Sequence, residues 1–318
     1  MPRVSITRQL VAPVLERARA SYDLWVNEDD HILSADELIT RSQDSDALMI
    51  CHSEILSADV VAEFSDRLKI VANYSVGVDH CDLDALKARG IVVTNTPDVL
   101  SDATAEIALL LLLGASRRAY EGDQMLRQGT WNHWAPVQMN GIQVTGKKLG
   151  IVGMGRVGQV VAKRARGFDM EIHYSNRSRL PAALEQGAIY HESVESLFNA
   201  VDMISLNCPS TPESEGMINA TSIGWMRDGA VFVNTARGKL VDESALIEAL
   251  RSGKIAAAGL DVFQTEPGGN PAFAALENVF MLPHLGSSTR ETRKAMGDRA
   301  LDNLDAFFAG REPLDRLV

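Results

Sequence analysis

The 318-residue sequence predicts an α/β protein of two domains, each a doubly wound parallel sheet with helices on both faces. Short β-branched runs alternate with segments of helical spacing along nearly the whole chain. Such alternation requires crossover connections, which make neighbouring strands parallel. The length exceeds what one hydrophobic core usually serves, and 46% apolar residues give a globular composition.

In the first hundred residues VSIT (4–7), YDLWV (22–26), ALMIC (47–51), LKIVAN (68–73) and IVVTN (91–95) read as strands. PVLERARA, SADELITR, SADVVAEF and DLDALKARG between them carry helical spacing. A helix over 102–118 follows, with Ser101 or Asp102 as its cap and an apolar run from Ile107 to Leu113 that marks it as buried. The second series of strands is KKLGIVG, MEIHYS, AIYHE, VDMISLN, AVFVNT, IAAAGLDVF and NVFMLP. A last helix over 288–308 has no strand after it, so it can cross back onto the first domain. The expected division is 1–99, 100–286 and a returning helix over 287–318.

Lys plus Arg number 31 against 42 Asp plus Glu, a net charge of −11, which argues against a nucleic-acid partner. An anionic ligand must then be held by a local cluster of positive groups. No apolar run approaches the roughly 20 residues that span a bilayer, and the first residues lack an export signal, so a cytoplasmic protein is expected. Cys51, Cys81 and Cys208 show no metal or disulfide spacing and read as reduced thiols.

Gly153, Gly155 and Gly158 stand in G-x-G-x-x-G spacing after a strand and before a helix, the context that gives the pattern its meaning as a dinucleotide-binding Rossmann turn. Met154, Gly155, Arg156 and Val157 would then face the pyrophosphate at a helix N-terminus. The next strand ends not in the acid that accepts the ribose hydroxyls of NAD but in Asn176, Arg177, Ser178 and Arg179. With no carboxylate to repel a 2′-phosphate and two guanidinium groups to pair with one, NADP(H) is expected over NAD(H).

Four polar residues follow later strands: Arg237 in VFVNTARGKLVDESAL, Asp261 and Glu266 in AAAGLDVFQTEP, and His284 in NVFMLPHLGSSTRETR. Ligands of parallel sheets bind at the carboxyl ends of strands, so these residues can share one crevice. Arginine clamps carboxylates by paired hydrogen bonds. Histidine titrates near neutral pH and can give a proton to a carbonyl oxygen while hydride reaches carbon, and a neighbouring carboxylate favours the imidazolium.

Together GMGRVG, VNTARGKLVDESAL, GLDVFQTEP and LPHLGSSTRETR resemble the D-isomer-specific 2-hydroxyacid dehydrogenase family over essentially the whole chain, and GTWNHWAPVQMNGIQVTGKKLGIVGMGRVG is similar to its glyoxylate and hydroxypyruvate reductases. The resemblance implies a Rossmann domain inserted into a flavodoxin-like substrate domain, reduction of a small 2-oxo acid to the 2-hydroxy acid, and a homodimer. It implies Arg237 for the substrate carboxylate and carbonyl, Glu266 paired to His284, and His284 as proton donor. It also implies that Val76 and Gly77 offer backbone N–H groups to that carboxylate, that Thr104 and Gly286 lie near the nicotinamide, and that Asp261 holds the carboxamide beside Thr235 and Ala236. Cys208, Pro209 and Ser214 would line the adenosine side, and Trp134 would reach the partner's substrate pocket. The alternatives are a dinucleotide-sensing regulatory protein of the same fold, or another D-2-hydroxyacid dehydrogenase.

Overall fold

A computed structural model describes all 318 residues, which form two compact units. The first joins Met1–Leu100 to Ser288–Val318, and the second is Ser101–Ser287.

In the first unit β1 (Arg3–Ile6), β2 (Asp23–Val26), β3 (Ala47–Ile50), β4 (Ile70–Asn73) and β5 (Val92–Thr94) form a wholly parallel sheet in the order β2-β1-β3-β4-β5. This is the flavodoxin-like order, whose direction of winding reverses between β1 and β3. β3 and β4 are buried throughout, as a central parallel strand covered on both faces must be. The helix Arg290–Phe308 starts where the Thr289 hydroxyl accepts the Thr292 N–H at 3.0 Å. Its Met296, Ala300, Leu301 and Leu304 then join Val4, Ile6, Val14, Ala47 and Ile70 in one apolar cluster. Beyond it, Leu317 N–H donates to Val93 O at 2.8 Å and Arg316 pairs antiparallel with Thr94, so this segment covers the otherwise open edge of β5. Asp315 anchors the turn between them, accepting both prongs of the Arg299 guanidinium at 2.5 and 2.8 Å and the Asn303 amide at 2.9 Å.

The second unit holds β6 (Lys148–Val152), β7 (Glu171–Ser175), β8 (Ile189–Tyr190), β9 (Met203–Leu206), β10 (Ala230–Asn234), β11 (Ile255–Leu260) and β12 (Val279–Met281). They form a parallel sheet in the order β12-β11-β10-β9-β6-β7-β8. The winding reverses between β6 and β9, which opens a crevice beyond their carboxyl ends. The segment AIYHE contributes only the two-residue edge strand β8.

The apolar helix Ser101–Ser116 is buried along most of its length and lies directly on β11, where a Cβ at Gly259 would stand 2.7 Å from Leu111 Cβ. It begins at Ser101 itself, so neither Ser101 nor Asp102 caps it, and Asp102 instead pairs with Arg164 at 2.7 Å. It also stops short of the expected end: Arg118 takes a left-handed conformation (φ 55°), and a separate helix, Ala119–Arg127, follows with no buried residue. Tyr120, Leu126, Trp131, Trp134 and Val137 leave an apolar surface exposed on this stretch.

Gly297 tests how the last helix packs. Glycine to alanine in a helix normally gains about 1 kcal/mol, but a Cβ here would sit 2.5 Å from Val14 Cγ2 and 2.6 Å from Cγ1. Valine cannot rotate away freely. Gly297→Ala should therefore destabilise by about 1–3 kcal/mol in urea unfolding, and a stabilised variant would contradict the packing.

Candidate active site

The glycine loop joins β6 to the helix Arg156–Ala165. Gly153 has φ 90°, and a Cβ there would meet the Cys208 backbone N at 2.6 Å, so two strand ends touch where only glycine fits. Gly158 packs as tightly, its absent Cβ lying 2.4 Å from Gly153 O. Gly155 differs: a Cβ would meet no protein atom within 4 Å, which leaves room for a ligand against the backbone. The first-turn amides of the helix, among them that of Val157, have no intrahelical acceptor, and they border this space. Nearby Thr235 Oγ1 and Asn207 Oδ1, at the ends of β10 and β9, are buried with no partner. An open backbone cradle and unpaired polar atoms at one sheet edge fit a dinucleotide.

Beyond β7 the four residues expected to select NADP(H) stand in different surroundings. Asn176 Oδ1 accepts the Met154 N–H at 2.7 Å and so fixes the glycine loop. Arg179 is bound bidentately to Glu185, Nε at 2.8 Å and Nη2 at 3.2 Å, and that carboxylate also accepts the hydroxyl of buried Tyr174 at 2.6 Å. Arg177 and Ser178 are exposed. The Thr211 hydroxyl and, to a smaller degree, the charge of Arg177 hold Glu213 below the usual carboxylate range. The expected pair of free guanidinium groups is thus one exposed arginine and one already in an ion pair. Ser214 Oγ closes the loop by donating to Pro209 O at 3.0 Å and accepting the Thr211 N–H at 2.8 Å. Burial pushes the Cys208 thiol up to about 11, so it is neutral.

Asn234 closes β10 and turns the chain: its Oδ1 accepts the Ala236 N–H and its Nδ2 donates to Arg237 O, each at 2.9 Å. Arg237 Nη1 donates to Ala236 O at 2.8 Å. Gly238 then lies against the next loop, where a Cβ would stand 1.9 Å from the Phe263 carbonyl carbon, so the Arg237 turn and the loop bearing Glu266 meet backbone to backbone.

His284 follows β12 in a left-handed conformation (φ 54°), its N–H donating to Asp261 O at 2.8 Å. Its Nδ1 lies 2.6 Å from Glu266 Oε2, while Glu266 Oε1 accepts the Phe263 N–H at 2.8 Å. Asp261, 1% exposed, accepts the N–H groups of Leu285 at 2.7 Å and Gly286 at 2.8 Å, and Thr104 Oγ1 donates to Gly286 O at 3.1 Å. Both Asp261 oxygens therefore hold the turn after His284, a scaffolding task that its expected contact with a carboxamide did not include. Burial pushes the Asp261 carboxyl up to about 6, against the pull of the Leu285 amide, the charge of His284 and the Gly286 amide.

Of the residues singled out from the sequence, those of the second unit gather at this carboxyl edge, with one exception. Trp134 stands 76% exposed on the segment between the helix Ala119–Arg127 and β6. Val76 and Gly77 belong to the first unit, where Asn73 Nδ2 donates to Gly77 O at 2.9 Å and Asn95 Nδ2 to Val76 O at 3.0 Å. Sequence reading passed over the asparagines that end or follow strands, Asn73, Asn207 and Asn234; a polar residue closing an apolar run, as in IVAN and VFVN, was the available signal.

This arrangement, a glycine-turn dinucleotide cradle beside a histidine–glutamate pair and an arginine, defines a dehydrogenase of the nucleotide-binding α/β class. Residues 109–286 match the NAD-binding domain of D-isomer specific 2-hydroxyacid dehydrogenases, and the chain belongs to that family. It is 43% identical to a glycerate dehydrogenase of Hyphomicrobium methylovorum, covering 98% of this chain and 97% of that protein. It is 41% identical to a glyoxylate reductase of Thermococcus onnurineus, over 98% and 94% of the two chains. Among solved structures, an NADPH-dependent glyoxylate/hydroxypyruvate reductase of Sinorhizobium meliloti, in complex with NADP and malonate, superimposes with a TM-score of 0.90 at 34% identity, covering 100% of this chain and 97% of that one.

The raised Asp261 carboxyl carries a pH dependence of stability. Its folded-state value, about 6, exceeds the ordinary carboxylate value, so the folded protein holds this proton more tightly than the unfolded chain. That contribution is complete below about pH 4 and is lost as the pH rises through the folded value. Asn at this position has no such titration. In urea unfolding between pH 7 and 4, the stability of the wild type relative to Asp261→Asn should shift in the wild type's favour as the pH falls; a shift the other way would contradict the assignment.

Proposed function

We propose that this protein reduces a small 2-oxo acid, glyoxylate or hydroxypyruvate, to the 2-hydroxy acid with NADPH, and that His284 is the proton donor. The observation that carries the reading is the 2.6 Å contact between His284 Nδ1 and Glu266 beside the dinucleotide cradle. Family membership and the reductases among its relatives support it. A nicotinamide held in this cradle would supply hydride to the substrate carbonyl carbon. Glu266, accepting from Nδ1, fixes the tautomer in which Nδ1 carries hydrogen, which leaves Nε2 to deliver the proton to the carbonyl oxygen. Arg237 is the group suited to the substrate carboxylate, and Thr104, Asp261 and Gly286 shape the wall behind the reacting carbon. Val76 and Gly77 are proposed to add backbone N–H groups to the carboxylate.

The preference for NADPH rests on the absence of an acid after β7 and on exposed Arg177. A charge-assisted contact of this kind is worth about 1.5–3 kcal/mol, roughly tenfold or more in cofactor preference. We further propose a homodimer that covers Trp131, Trp134 and Val137, because tryptophans this exposed call for a partner surface.

Arg177→Ala should lower kcat/KM for NADPH roughly tenfold and leave NADH nearly unchanged, while Arg179→Ala, whose guanidinium already serves Glu185, should do less. Equal kcat/KM for the two cofactors in the parent enzyme would refute the preference. His284→Ala should cut kcat for reduction by about two to four orders of magnitude with NADPH binding retained. Near-normal turnover with chemistry rate-limiting would exclude His284 as the donor.

A further inference from the structure

Glu266 sits on the exposed stretch Gln264–Gly268. Two of its neighbours converge on a single carboxylate outside it. Glu243, in the first turn of the helix Glu243–Ser252, is buried, and its Oε1 accepts the Gln264 N–H at 2.8 Å while its Oε2 accepts Asn270 Nδ2 at 2.9 Å. Gln264 and Asn270 flank Glu266 on either side. The Gln264 side chain adds a third tie by donating to Val241 O at 2.6 Å. Asn270 is itself occupied, since its Oδ1 accepts the Ala272 N–H at 3.0 Å and caps the short helix Pro271–Ala274.

We propose that Glu243 is a positioning residue for the Glu266–His284 pair, acting through the loop that it spans. The inference rests on His284 as proton donor. One carboxylate gathers a backbone donor and a side-chain donor from the two ends of the loop, and only an ionised acid offers an acceptor to both. Without it the loop ends lose their common anchor, and Glu266 no longer holds Nδ1 at 2.6 Å. The imidazole then loses the partner that orients Nε2. Placement errors near 1 Å are worth up to about a hundredfold in rate. The glycine loop and the β7 turn are not connected to Glu243, so cofactor affinity stays as it was.

The test uses the full chain with glyoxylate and NADPH, and compares the pH profile of kcat for reduction in the parent, Glu266→Gln, Glu243→Ala, Glu243→Gln and Asn270→Asp. Asn270→Asp keeps the helix cap and sets a carboxylate against Glu243 in place of a donor, so it disturbs the clamp even if Glu243→Ala folds poorly. Glu243→Ala should lower kcat about ten- to a hundredfold, move the high-pH limb in the same direction as Glu266→Gln, to lower pH, and add no further shift when combined with Glu266→Gln. Glu243→Gln, which keeps one acceptor but turns an N–H towards Asn270 Nδ2, should fall between. In the cofactor-free protein the His284 Nδ1–H signal, followed by NMR, should lose its hydrogen-bonded downfield position in Glu243→Ala and Asn270→Asp, with the dissociation constant for NADPH unchanged. If Glu266→Gln shifts the limb while Glu243→Ala and Asn270→Asp leave both the limb and the Nδ1–H signal at parental values, Glu243 has no positioning role and the donor assignment survives. If Glu266→Gln itself moves nothing, the donor assignment fails and this inference with it; a parent that does not turn over glyoxylate with NADPH overturns the proposed function on which both rest.

Discussion

The site of the second unit depends on one buried carboxylate. Asp261 directly follows β11, and its two oxygens hold the backbone of Leu285 and Gly286, residues that follow a different strand. Its own carbonyl accepts the N–H of His284. A single side chain thus ties the ends of β11 and β12 together and sets the left-handed turn from which the imidazole projects. The arrangement costs desolvation, visible in the raised carboxyl, and two backbone donors repay part of that cost. Thr104 completes the turn from the side of the buried helix by donating to Gly286 O.

The same device recurs around both sheets. Asn176 holds the glycine loop, Asn234 the Arg237 turn, and Asn73 and Asn95 the loop of Val76 and Gly77. Each side chain satisfies backbone groups that a loop leaves unpaired near the end of a parallel strand. Two carboxylates that anchor loop backbone, Asp261 and Glu243, are buried, whereas Arg177 is exposed.

Much of this was legible in the sequence. Parallel strands buried on both faces must be β-branched and continuous, so their runs announce themselves, and a glycine turn between strand and helix has few other meanings. The sequence placed the end of the buried helix within two residues, at Arg118, but the following helix Ala119–Arg127 was not legible, because it buries no residue and so carries no apolar face to mark it. Nor was the state of Arg179, whose partner Glu185 lies in the four-residue helix Ala182–Glu185, where no periodic pattern marks it. The role of Asp261 was hidden for a related reason. An acid at a strand end reads equally as a ligand-facing group or as an anchor for backbone, and only the positions of Leu285 and Gly286 decide.

The return of residues 288–318 to the first unit has a bearing on how the chain assembles as it is made. Every strand and helix of the second unit comes from one uninterrupted stretch, so that unit can complete its sheet as soon as Ser287 has emerged. The first unit cannot. Its five strands are synthesised early, yet Met296, Ala300, Leu301 and Leu304 are missing from the apolar cluster, and the edge of β5 stays open, until the last helix and the segment after it arrive. The part of the protein made first is therefore the part finished last, and the second unit takes shape while an incomplete sheet waits on the same chain.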